Sequence, residues 1–86
     1  MKIKAGYIVR KIGTKYYAVS AARAAEGAGM IALNETGAFI WELLKEETTV
    51  EAVAKALAEK YERDVELATR DTEAYVEMLK GAGALA

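Results

Sequence analysis

Glu73 and Glu77 stand four residues apart, one of the spacings in this 86-residue chain that could pair carboxylates for acid–base work. Acids at i and i+4 on one helix face are ordinary solvated surface, so the spacing alone makes no active site. The chain has no His and no Cys, and Ser20 and Asn34 are its only Ser and Asn. A Ser–His or Cys–His nucleophile cannot be assembled from this set, and neither can a zinc site of the usual ligands. Only carboxylates, Lys and Tyr remain to move protons. The expectation is a non-enzyme, with no catalytic residue, no metal and no cofactor.

Charge is the next chemical signal. Residues 1–23 hold Lys2, Lys4, Arg10, Lys11, Lys15 and Arg23 and no acid. The remaining residues hold the other six bases and all 13 acids, so a +6 segment precedes a −7 segment in a chain of net charge −1. Such a split fits complementary halves of one fold, and it also fits a partner surface.

The elements that must position these groups are legible in the pattern. YIVRKI (7–12) and KYYAVS (15–20) are rich in β-branched and aromatic residues. Gly13-Thr14 between them suits a type II′ turn, with Gly taking the positive φ. AARAAEGAG (21–29) reads as a loop with weak helical tendency, and Met30–Leu33 as a short third strand. Asn34 is a good N-cap, so a first helix is expected over about 35–45. Phe39, Ile40, Leu43 and Leu44 form its buried stripe, with Trp41 on the flank, either under the hairpin or half exposed. Gly37 in its first turn costs about 1 kcal/mol of helix propensity against Ala, which suggests that another backbone comes close.

Thr48-Thr49-Val50-Glu51 has the form of a capping box before a second helix over 50–63. Asp64 caps a third over 65–80, with Ala68, Thr72, Tyr75, Val76 and Leu79 on its inner face and Gly81 as the C′ glycine. Three strands and then three helices imply an α+β fold, a three-stranded sheet covered on one face by a helical bundle. The length, with 53% apolar residues, fits one domain over 1–86. No signal-peptide core and no 18-residue apolar run is present, so a soluble cytoplasmic protein without membrane contact is expected.

Three strands leave open edges, and the apolar run 30–33 carries no charge to blunt one. At this junction the chain resembles a known family. GMIALNETGAFIWELL (29–44), the capped TVEA helix start (49–52) and the closing A-x-x-D-T-x-x-Y-V-x-x-L pattern (68–79) with Gly83 are similar to the pyrroloquinoline quinone biosynthesis protein D family. The resemblance runs from about Gly6 to Leu85. It implies a winged-helix-like fold with an antiparallel three-stranded sheet and three helices. It also implies a peptide chaperone: the leader segment of a ribosomally made precursor adds as a fourth strand beside the third and is presented to a modifying enzyme, often a radical S-adenosylmethionine protein.

Carried onto this chain, the resemblance places the peptide-binding edge at Met30, Ile31, Ala32 and Leu33. The groove flank of the third helix becomes Leu67, Asp71, Ala74 and Met78, with Tyr75 beside them. Ala74 leaves room for a ligand side chain, Met78 is adaptable lining, and Asp71 could pair with a basic leader residue. Thr72 departs from the family's usual apolar choice, which bears on the depth of the core there, and a threonine hydroxyl can bond back within a helix.

Two readings from other classes compete. A winged helix can bind DNA, but the second helix has net charge zero with its acid at the start, and the third has −2. Such helices are repelled by phosphates, so no nucleic-acid partner is expected. A generic interaction module would use the same strand edge for a second copy, which allows a monomer with some tendency to dimerise.

Overall fold

The computed structural model of the chain describes residues 1–20 and 30–86. The loop expected over 21–29 lies outside the described residues. Strands β1 (Tyr7–Ile12), β2 (Lys15–Ser20) and β3 (Met30–Leu33) precede helices α1 (Glu35–Leu43), α2 (Val50–Tyr61) and α3 (Val65–Gly81). The sheet is antiparallel in the order β1-β2-β3. Gly13 takes φ +65° at the hairpin while Thr14 stays in the negative range, as a type II′ turn requires.

Strict alternation divides the sheet into two faces. Tyr7, Val9, Ala18, Ser20, Ile31 and Leu33 point toward the helices, with Ala18 and Leu33 essentially closed to solvent. Beneath them lie Ile40, Trp41 and Leu44 of the first helical segment, Val53, Ala54 and Leu57 of α2, and Ala68 and Leu79 of α3. Trp41 is not on a flank. It is 1% exposed and meets the Tyr7 ring edge-on at 5.2 Å, directly under the hairpin. Full burial of so large a ring makes it a principal apolar contributor to the core.

The helix ends differ from the sequence expectation for local reasons. α1 stops at Leu43 rather than about 45, because the Leu44 carbonyl accepts from Ile3 N–H (2.8 Å) and Lys45 N–H tightens onto Glu42 O (3.3 Å). The N-cap of α2 is Thr49, not Thr48, and its hydroxyl accepts from Ala52 N–H at 3.2 Å. Thr48 is held instead by backbone exchange with Met1, so the expected Thr48–Glu51 capping box does not form. α2 ends at Tyr61, not near 63, because Glu62 turns left-handed at φ 51°. At the end of α3 the left-handed residue is Gly83, with φ +74°, and not Gly81. Gly83 N–H bonds to Lys80 O and Ala84 N–H to Leu79 O, which is the Schellman pattern.

One feature escaped the sequence reading. Residues 1–4 run as a strap between the chain's last residues and the α1–α2 connection. Lys4 N–H donates to Ala84 O, and Ala86 N–H to Lys2 O, both at 2.8 Å, with Ile3 buried. The segment lacks the β-branched run that marks a strand, and its partners lie far along the chain.

Thr72 is fully buried, and its hydroxyl has no hydrogen-bond partner among the described residues. The back-bond open to it, to Ala68 O, is not made, whereas Thr69 makes its own to Val65 O at 2.8 Å. An unpartnered buried hydroxyl costs about 1–3 kcal/mol. Thr72→Val, which keeps the shape and removes the polar atom, is therefore expected to raise unfolding free energy by about 1 kcal/mol in urea titration; a loss would mean that the hydroxyl is partnered in solution.

Candidate functional site

The site begins at the turn from β3 into α1. Asn34 is extended (φ −85°, ψ 179°), and its side chain accepts from Gly37 N–H at 2.7 Å. That bond starts the helix one residue after the strand ends, so no linker folds back over β3. Among the described residues β3 has β2 on one side and no strand on the other. No described strand pairs with the backbone groups on that side.

Gly37 faces the ring of Tyr75 on α3, not another backbone as the sequence suggested. A Cβ built there would lie 3.1 Å from Tyr75 Cε2 and 3.0 Å from Asn34 Oδ1. Glycine thus lets Tyr75 press against the start of α1. From there α3 runs beside the open strand and leaves a cleft of two lobes.

One lobe, of about 410 Å³, lies between α1 and α3, with Thr36 and Gly37 on one wall and Asp71 and Ala74 on the other. The second, of about 550 Å³, lies toward the sheet and includes Tyr17, Ala32 and Leu33. Asn34, Tyr75 and Met78 border both lobes and join them. Of the nine residues named from the sequence, Ala32, Leu33, Asp71, Ala74, Tyr75 and Met78 meet around this cleft. Met30, Ile31 and Leu67 line neither lobe. Met30 is 66% exposed on the outer sheet face, Ile31 turns inward toward the core, and Leu67 is exposed on α3.

Asp71 is already engaged. It accepts from Arg63 Nη1 at 2.6 Å across the α2–α3 turn. Arg63 also borders the first lobe and lies 5.9 Å from the centre of the Tyr61 ring. It was missed because the sequence placed it inside the second helix. The signal was Asp64, since an N-cap there requires the preceding helix to have ended. A ligand base that uses Asp71 must compete with Arg63, whereas a ligand acid can share Arg63.

Tyr75 is the group most altered by its setting. Its hydroxyl is buried with no partner among the described residues, and burial pushes its pKa well above the usual tyrosine value. Tyr61 is raised as well, by burial first and then by the Glu35 and Tyr16 charges, with Arg63 opposing. No cluster of three metal-ligating side chains occurs among the described residues.

The family model described as Coenzyme PQQ synthesis protein D (PqqD) matches residues 24–85, which include β3 and all three helices. The chain belongs to the PqqD family. The structure is also similar to a solved one, TbiB1 in complex with the TbiA(beta) leader peptide. The TM-score is 0.77 at 22% identity, over 99% of this chain and 94% of that one. That likeness supports the winged-helix-like arrangement of sheet and helices. None of the curated proteins matches the chain. No helix among the described residues is long and apolar enough to cross a membrane.

The buried phenols make a pH prediction. A tyrosine whose folded pKa lies above its unfolded value contributes stability that is full below the unfolded pKa and is lost as pH rises toward the folded one. Unfolding free energy is therefore expected to fall above about pH 10, where unfolded tyrosines ionise. Tyr75→Phe should flatten that alkaline limb in pH-dependent urea titrations; an unchanged slope would place the Tyr75 hydroxyl in solvent.

Proposed function

We propose that this protein binds the leader segment of a ribosomally made precursor peptide and presents it to a modifying enzyme. The leader adds as a fourth strand on the open side of β3 and packs against α3. The observation that carries this reading is the open edge of β3 beside a cleft walled by Tyr75 and Met78. Backbone pairing supplies grip that tolerates many sequences, and the two lobes supply selectivity through alternate side chains. Membership of the PqqD family supports it, as does the similar fold that was solved with a leader peptide.

The chemistry of the cleft suits such a ligand. Tyr75 and Met78 border both lobes and offer apolar surface to the side chains of an added strand. Ala74 is the small residue of the α3 wall, so a bulky leader side chain fits opposite it. Asp71 and Arg63 leave that lobe electrically balanced, so a leader side chain of either sign finds one partner there. The role asks for no chemistry of the chain's own, and the partner enzyme, often a radical S-adenosylmethionine protein in this family, supplies it.

The test is calorimetric titration with the leader of the short peptide encoded beside the gene. Ala74→Arg puts a long charged side chain into the cleft from an exposed helix position, so the fold survives. It should weaken leader binding about tenfold or more, with circular dichroism unchanged. Equal affinity in a folded Ala74→Arg protein would move the site elsewhere.

A further inference from the structure

The sheet has a second face, most of which lies outside the cleft. Ile8, Arg10, Ile12, Lys15, Tyr17, Val19, Met30 and Ala32 alternate away from the helices. In an antiparallel sheet with one solvated face these are the positions where polar residues are expected. Six of the eight are apolar. Ile8, Ile12 and Met30 are 52%, 67% and 66% exposed, three of the six exposed large apolar side chains among the described residues. An apolar face of this kind on a small soluble domain marks an interaction surface.

The register gives the face an order. Ile8, Val19 and Met30 are direct cross-strand neighbours and form an apolar row through all three strands. Arg10, Tyr17 and Ala32 form the next row, and Ile12 and Lys15 the last. The first row ends at Met30 and the second at Ala32, both on the open strand. Tyr17 and Ala32 also border the sheet-side lobe, so the face and the cleft are continuous. A fourth strand on β3 would carry both rows outward through its own alternate side chains.

Charge selects among occupants. The face carries two bases, and no acid occurs anywhere in residues 1–23. A second copy stacked face to face would bring Arg10 and Lys15 against their own kind with no carboxylate between them. A partner with an apolar centre and acidic residues around it meets the row and the bases together. The size of the face matters too. Three strands of this length span roughly 300 Å² in projection, well below the standard ~800 Å² per partner of a stable complex. A fourth strand adds about a third to that surface.

We propose that this outer sheet face docks the modifying enzyme through an apolar, acid-rimmed patch, and that the bound leader strand completes the docking surface beside Met30 and Ala32. The proposal rests on the leader-binding reading above. It makes the enzyme sensitive to leader occupancy by direct contact, without a conformational change in this protein. Reciprocity then requires the enzyme to tighten leader binding by the same factor.

The test uses the enzyme encoded beside the gene, immobilised, with this protein as analyte in the presence and absence of leader. Leader affinity is measured separately by calorimetry. Ile8→Asp and Arg10→Glu lie on β1, one strand away from the open edge, and should leave leader affinity unchanged. Each should weaken capture by the enzyme about tenfold, and leader should strengthen capture of the parent protein. Two independent variants guard against a folding loss in one of them. Capture unchanged in both variants overturns the proposal, as does parent protein that binds leader but is not captured in either state. Concentration-dependent dimers, or partitioning onto anionic vesicles, that Ile8→Asp abolishes while capture persists would assign the face to another occupant and also overturn it. Failure of the leader-binding reading is seen separately, as absent calorimetric binding by the parent.

Discussion

A single hydrogen bond, from Gly37 N–H to Asn34 Oδ1 at 2.7 Å, sets the geometry on which the functional surface depends. It caps α1 directly at the end of β3, so the chain turns from strand to helix without a connecting loop. With no residues spare, nothing from this junction can cover the strand's open side. The same point receives Tyr75, whose ring lies within van der Waals reach of where a side chain on Gly37 would begin. Cap, glycine and tyrosine thus converge on one small volume. That convergence fixes how far α3 stands from β3 and therefore how wide the cleft is. An Asn→Ala cap loss is worth about 1 kcal/mol in general; here its larger effect is on position.

Around that junction the fold divides its labour between two faces of one sheet. The inner face, with Trp41 and Tyr7 in edge-on contact, anchors the helices. The outer face stays apolar and carries bases without acids. Of the acids, all 13 lie beyond residue 23 and many sit on the helices, so the chain's two charge blocks become two differently charged surfaces of one body. The ion pairs of Lys45 with Glu42, Lys80 with Glu77 and Arg63 with Asp71 are all solvent-accessible and add little stability each. Stability rests on the buried apolar layer, which leaves the surface charges available for recognition.

Much of this was legible in the sequence because local and tertiary signals agree. β-branched runs, Gly13, Asn34 and Asp64 mark the strands, the hairpin and two helix starts with their own chemistry. The readings that missed depended on distant partners. Thr48 loses its capping role because Met1 occupies its backbone, and Leu44 is drawn out of the helix by Ile3. For Trp41 the sequence left two places open, under the hairpin or half exposed, and the Tyr7 ring across the sheet decides for the first. In the cleft, the sequence named the α3 wall but not Arg63, whose place depends on Glu62 adopting a left-handed turn that no glycine announces. Met30 was grouped with its strand neighbours, although alternation sends its side chain to the outer face.

The central claim is that the open side of β3 receives a peptide strand against α3. Backbone amide hydrogen exchange, read residue by residue by NMR with and without the leader peptide, tests it most directly. The account predicts that alternate amides of residues 30–33, those turned away from β2, exchange readily in the free protein and become protected when the leader binds. Saturating leader binding that leaves the β3 amides unprotected would contradict it.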